Sequence, residues 1–457
     1  MKKLLVIVLI IIATIAALPF LGNQIIESEL KSNIEFLTSN GIEVNDKGSK
    51  SSYFKTSKHY ELTIKNADKF SKYLAKFSDS QIPPYVTEML EGTKLATDLK
   101  YCNMPINSEV NIEVYPLALS TSLMDEMKKN NAKFASYVKN FLQKGGLKYN
   151  INLDVRTKEF EGYIYDIDET YTTSEGLELK TALKGVTFSG KGNVFMPESI
   201  DMNMDMLSID LNDKIENVKI VLKNISTKST FESRTNYMSD LKFKNIVVKT
   251  TGGVKGNFDL SLDDLIVNSA SNSKGQKIEI LLKTKVGSLD ISSTQNKVVL
   301  NKLAYDMAIK DIDKDAFEKL LDSFNKARGN NSVEIQLEIK KDMEKLVERG
   351  VTIELPEFSL KSVSYDNVKD LKGFNSNINF VLPPNVLTPK LINPIQALDK
   401  IKLDIFLKIS KELFTNISSS TPMVAITKGY AKDSGEDLVY DLKLENGSLT
   451  VNGEVIR

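Results

Sequence analysis

Between Leu147 and Asp311 apolar residues recur at every second position, segment after segment, with no strong helical pattern between them. Ile151, Leu153 and Val155 alternate with Asn152, Asp154 and Arg156. Phe258, Leu260 and Leu262 alternate with Asp259, Ser261 and Asp263, and Leu303, Tyr305, Met307 and Ile309 stand against Lys302, Asp306 and Lys310. Successive side chains of a strand point to opposite faces, so each row predicts an amphipathic strand with one buried face. Turn clusters at Gly185, Gly190–Asn193, Gly252-Gly253 and Asn268–Gly275 divide the rows. About ten such strands in succession, without crossover helices, imply an antiparallel meander and not βαβ units. In two places the alternation slips by one residue. Met202, Met204 and Met206 give way to Leu207, Ile209 and Leu211, and Leu241 and Phe243 give way to Ile246 and Val248. Each slip calls for a β-bulge or for burial on both faces.

The flanks mix periods. Helical spacing runs over Gln24–Ser39, Ala67–Phe77, the segment from Pro83 to about Leu95, and Leu117–Leu142, with a hairpin over Ile42–Ile64. After the meander, Asp313 reads as the N-cap of a helix to Ala327. Val333–Arg349 reads as a strand running into a helix. Strands recur at Val351–Leu355, Phe358–Val363, Asn375–Leu382 and Lys402–Lys408, with short helices at Ser410–Ser418 and Met423–Lys432. Asn446-Gly447 between alternating runs predicts a closing hairpin over Asp437–Ile456. The expected fold is α+β: a large twisted antiparallel sheet over 147–311 and most of 351–456, with helices packed on one side. So many strands in one open sheet tend to curl, which would give it a groove with an apolar interior. Four regions follow: 1–22, 23–146 (helix-rich with a hairpin), 147–311 (meander) and 312–457 (α+β).

The first region reads as a signal anchor. Lys2 and Lys3 precede an apolar run from Leu4 to Leu21 in which only Thr14 is polar. As a helix the run spans roughly 27 Å, about one hydrocarbon core. The basic flank orients the N-terminus to the cytoplasm and the bulk of the chain outside. Thr14-Ile15-Ala16 could serve as a cleavage site, but the apolar run continues past it.

Composition removes most chemistry. Lys+Arg and Asp+Glu are each 60, giving net charge 0, so no positive surplus exists for nucleic acid. One His and one Cys exclude multi-histidine metal sites, zinc knuckles and intramolecular disulfides. Asp311, Asp313 and Asp315 resemble the start of a calcium loop, but Ala316 stands where glycine is needed and Asp322 where Glu is needed, so they read as an acidic helix start. Ser28-x-x-Lys31 and Ser323-x-x-Lys326 lack the companion motifs of serine–lysine enzymes. Gly190-Lys191-Gly192 and Gly252-Gly253 read as turns and lack the rest of a phosphate loop. No catalytic residue, cofactor or metal ligand is expected. One feature suits binding: Met202, Met204 and Met206 form a flexible, polarizable stripe that could line an apolar groove.

Several stretches together resemble the YdgA-like family of bacterial inner-membrane proteins (domain of unknown function 945). They are Val351-Thr-Ile-Glu-Leu-Pro-Glu-Phe-Ser-Leu360 with the following strand ending at Pro383-Pro384, the Leu403–Lys408 strand with the Ser410–Ile417 helix, and Tyr440–Gly453. Ser51-Ser52-Tyr53-Phe54 departs from the Gly-x-Phe-Ser type segment of that family. The resemblance implies a single-pass anchor, an exported β-rich domain and dimerisation, and supplies no catalytic residues. Together these readings give a non-enzymatic periplasmic protein of the inner membrane, holding lipid or another apolar ligand in a β-groove. The alternative is an assembly factor acting through protein contacts or homodimerisation.

Overall fold

The alternating segments form strands, and every register joins them antiparallel. The computed structural model describes residues 24, 26–78, 87, 89–104, 108–173, 175–193, 196–233, 235–253, 256–329, 332–366, 368–386, 399–420 and 427–456. These hold 22 strands, with helices between them, so the class is α+β. The apolar run from Leu4 to Leu21 lies outside the described residues. Among the described residues no helix is long and apolar enough to cross a membrane. The chain divides after Met204 into two units.

The first unit opens with helix α1 (26–39). Strands β1 (Ile42–Ser51), β2 (Lys55–Ile64), β3 (Lys94–Cys102), β4 (Glu109–Ala118), β5 (Tyr149–Asp154) and β6 (Glu159–Ile164) pair in chain order. Helix α2 (Ala67–Ser78) follows β2, and α3 (Thr121–Gln143) follows β4. Strands β7 (Ile167–Thr172) and β8 (Glu178–Lys184) form a hairpin, and β9 (Val186–Asn193) pairs with β6 and with the first half of β10 (Met196–Asn212). Thus the described residues of 23–146 hold four strands beside their helices, two more than the hairpin read from sequence. Ile26 of α1 is buried against Tyr60, Leu99, Tyr101 and Val110, which sets the helix on the sheet.

Between β6 and β9 two aromatics cover two glycines: Phe160 stands opposite Gly190, and Phe188 opposite Gly162. A Cβ at Gly162 would lie 2.5 Å from the Phe188 ring, and one at Gly190 2.6 Å from the Phe160 ring. Each ring fills the volume its partner lacks, the usual way a strand glycine is made tolerable.

The second unit is built from long strands: β11 (Glu216–Ser233), β12 (Asn236–Gly252), β13 (Phe258–Lys274), β14 (Lys277–Ser293), β15 (Lys297–Asp313), β16 (Val351–Tyr365) and β17 (Val368–Leu382). They run 15 to 18 residues, roughly 50–60 Å at the usual rise. They pair in chain order, and the sheet continues through β18 (Lys402–Ser410), β20 (Asp437–Glu445), β21 (Ser448–Val451) and β22 (Glu454–Val455), with β19 (Lys432–Ser434) also against β20. Helices α4 (Lys314–Gly329) and α5 (Val333–Glu348) form a helical pair inserted between β15 and β16. The strand expected at Val333 is therefore helix. Ser332 caps it, its hydroxyl accepting from the Ile335 amide at 3.4 Å.

A single crease crosses this sheet. Its residues face one another strand by strand: Asn224, Lys244, Asp264, Gly287, Lys302, Lys361 and Gly373. Asn224, Asp264 and Lys302 take left-handed backbone angles (φ 47°, 53° and 50°). One extra residue in each strand at this line shifts the side-chain phase, as a bulge does. The apolar rows consequently stay on one face along the whole strand. On one side of the crease Val248, Leu260, Ile291, Val298 and Tyr365 are successive partners. On the other, Val286, Leu303, Leu360, Phe374 and Ile409 are. Residues from both sides, Leu360 and Val363 among them, join one core cluster, which fixes them to the same face.

That core is seated by helix α6 (Lys411–Ser420). Its Leu413 and Phe414 are buried against Leu360, Val363, Leu371, Ile409 and Leu438. Each such side chain contributes about 1.5–3 kcal/mol when fully buried. Over β11–β14 the apolar rows remain mostly half-buried: Leu241, Phe243, Ile246, Leu260, Leu262 and Leu289 are all of this kind.

Candidate functional site

The residues singled out in the sequence are spread over both units. Leu4 and Leu21 lie outside the described residues. Met202, Met204 and Met206 are half-buried on β10 and alternate with exposed Asn203 and Asp205, as the strand period requires. Met202 stands opposite Phe188. From Met206 to Asn212 every residue is half-buried, so the phase slip there reflects partial burial of both faces. At Leu241–Val248 the other cause holds, because the slip is the crease itself.

The remaining chemical candidates are held in structural contacts. Asp313 accepts from the Ala316 amide at 3.0 Å and begins α4, as an N-cap does. The buried Ser323 hydroxyl donates to Asp342 at 2.7 Å, and Lys326 pairs with Glu338 at 2.7 Å, so both residues of this spacing are engaged between α4 and α5. His59 Nδ1 lies 2.7 Å from Asp98 Oδ1, and Tyr115 donates to Asp98 Oδ2 at 3.1 Å. Near them Lys148 sits over the Tyr115 and Tyr165 rings, 5.7 and 5.1 Å from their centroids, and 3.0 Å from Glu113. The Lys148 hydrogen bond holds the Glu113 carboxyl below the usual range. Cys102, at the end of β3, is half-buried. Among the described residues no group of three or more His, Cys, Asp or Glu could hold a metal.

Among the described residues of the second unit, two cavities stand out. The larger, about 690 Å³, lies between the β14–β15 end of the sheet and helices α4 and α5. Its acids Asp313, Asp315 and Glu348 are matched by Lys319, Lys345 and Arg349, so its charges cancel. The smaller, about 530 Å³, is a shallow groove on the crease. Its lining takes Ile266, Lys285, Ala304 and Ser359, successive cross-strand partners one residue removed from the apolar row, together with Val286, Leu303, Leu360 and Phe374 of that row. Lys302 and Lys361 join them from the crease. The groove is smaller but carries a surplus of charge, and for that reason it is the more informative of the two. No sequence motif announces it. The one visible signal was the slip in β12, and only the register shows that it lines up with Gly287 and Lys302.

Comparison with known families now bears on the second unit. The model of a family described as a bacterial protein of unknown function (DUF945) matches residues 165–457. The chain belongs to this family. The match covers all of the creased sheet. No curated protein and no solved structure matches the chain.

Proposed function

We propose that this DUF945 member is a membrane-anchored protein of the bacterial envelope that binds lipid or another apolar ligand, without catalysis, on the apolar face of its second unit. The observation that carries this reading is the run of apolar rows over β11–β14, which the crease keeps on one face and which stay mostly half-buried where α6 no longer covers them. Apolar surface held out of a packed core favours an apolar partner. The run from Leu4 to Leu21 behind Lys2 and Lys3 supports a single-pass anchor with the bulk of the chain in the periplasm. The half-buried methionines of β10 suit an adaptable ligand surface.

The test is quantification of lipid co-purifying with the full chain in mild detergent, against a Leu262→Glu, Leu289→Glu double variant. The two leucines are cross-strand partners on the apolar face. The anchor is common to both proteins, so the difference reads the sheet. Excess stoichiometric lipid on the parent alone is the expected result, and equal lipid on both would refute the reading. A second reading, assembly through protein contacts, draws on α5, where Val333 and Leu337 are 70% and 60% exposed. A dimer by sedimentation that dissociates on Leu337→Lys would favour it.

A further inference from the structure

The geometry points to a binding site for a phosphoryl-class anion in the crease groove, which lysines from three strands line. Lys285, Lys302 and Lys361 line one groove of about 530 Å³, and among the described residues none of the three has an ion-pair partner. Of the two lining carboxylates, Asp264 is paired with Lys244 at 2.7 Å, and Glu357 keeps its charge while accepting from the Ser359 hydroxyl at 2.9 Å. Three ammonium groups therefore line the groove against one carboxylate left without a cation, a local positive surplus in a chain of net charge 0.

Two of these lysines are poor choices for a sheet. Lys302 and Lys361 lie opposite each other, between the pairs Asn301–Ser362 and Leu303–Leu360. Directly opposed like charges destabilise a strand pair. Lys302 also occupies the left-handed region at φ 50°, where Asn and Asp are favoured and Lys is not. The equivalent crease positions on β11 and β13 are Asn224 and Asp264. Backbone strain of this kind gathers at ligand sites. A dianion between the ammonium groups would remove the repulsion, and the floor of Gly287, Ala304 and Ser359 leaves it room. A phosphoryl group could come from a soluble phosphate compound or from a lipid headgroup.

The experiment is calorimetric titration of the full chain with inorganic pyrophosphate and, separately, with dihexanoyl phosphatidic acid. The comparison is a Lys302→Asn, Lys361→Gln variant, since Asn suits the backbone at 302. Saturable binding that weakens by about tenfold or more in the variant, as expected for loss of charged hydrogen bonds, supports the site. Binding of both probes, or of pyrophosphate alone, marks a soluble phosphoryl ligand. Binding of the phosphatidic acid alone marks a headgroup. Absence of both, or equal binding by the variant, overturns the proposal. Without ligand the variant should melt no lower than the parent; a clear fall would make the lysines structural and also overturn it. The Leu262→Glu, Leu289→Glu protein should keep its pyrophosphate binding, so this proposal and the apolar-face reading fail separately.

Discussion

Replacing Gly373 by Ala tests the crease most directly. A Cβ at Gly373 would overlap the Leu360 carbonyl oxygen, and it would stand 2.7 Å from that carbonyl carbon and 3.2 Å from the Lys361 carbonyl carbon. All three obstacles are backbone atoms of the neighbouring strand, so no side-chain rotation relieves the contact. Overpacking of this kind costs about 1–3 kcal/mol, and an obstruction made only of backbone belongs at the upper end, about 3 kcal/mol. For a unit of this size that is a fall in melting midpoint of roughly 6–12 °C. Gly287→Ala should cost less, because its nearest obstacles are the Asp264 Cβ at 3.0 Å and the Asp263 oxygen at 3.1 Å. Gly429→Ala meets nothing within 4 Å and is the control, expected within about 0.5 kcal/mol of the parent. Differential scanning calorimetry of the three variants should give that order. A Gly373→Ala midpoint equal to that of the control would show that the strands do not approach as described.

Phe160→Ala removes a buried ring that covers Gly190 and should cost about 3–5 kcal/mol in urea unfolding of the first unit. Ser410 caps α6, accepting from the Leu413 amide at 3.2 Å; Ser410→Ala should cost about 1 kcal/mol and loosen hydrogen-exchange protection of the helix. The Ser323 hydroxyl, then Lys345, holds Asp342 below the usual aspartate range, and Lys372, then Lys408, does the same for Asp437. Depressed folded-state values mean stabilisation that is present at neutral pH and lost as pH falls below about 4, through those values. Asp342→Asn and Asp437→Asn should therefore lower the midpoint at pH 7 and flatten its acid limb, and an unchanged limb would exclude both carboxylates from it.

The parts legible in the sequence are those with strong local causes. Alternation such as Leu260–Asp263 needs only the strand period, and Asn446-Gly447 turns as expected, both residues at positive φ between β20 and β21. The helix at Val333 was hidden by its own pattern. Val333, Ile335, Leu337 and Ile339 alternate like a strand, but Ser332 caps a helix and leaves Val333 and Leu337 in solvent. Strands β3 and β4 were missed because Leu95 and Leu99 stand four residues apart like a helix face and Pro116 lies inside β4. The groove was illegible for another reason. Lys285, Lys302 and Lys361 are unremarkable one at a time in a chain with 60 basic residues, and only registers spanning three strands bring them together.

The crease also sets a rule for how such a chain can change over evolutionary time. Each long strand carries its extra residue at the same height, so the number of residues from one turn to the next is fixed in parity. Deleting Lys302 alone would rotate the far half of β15 by one face and set Leu303 and Tyr305 against polar partners, while its neighbours stayed in place. Gaps in the sequences of relatives should therefore collect in the connecting turns and in the α4–α5 insertion. Length changes inside the strands should be found only where adjoining strands change in step.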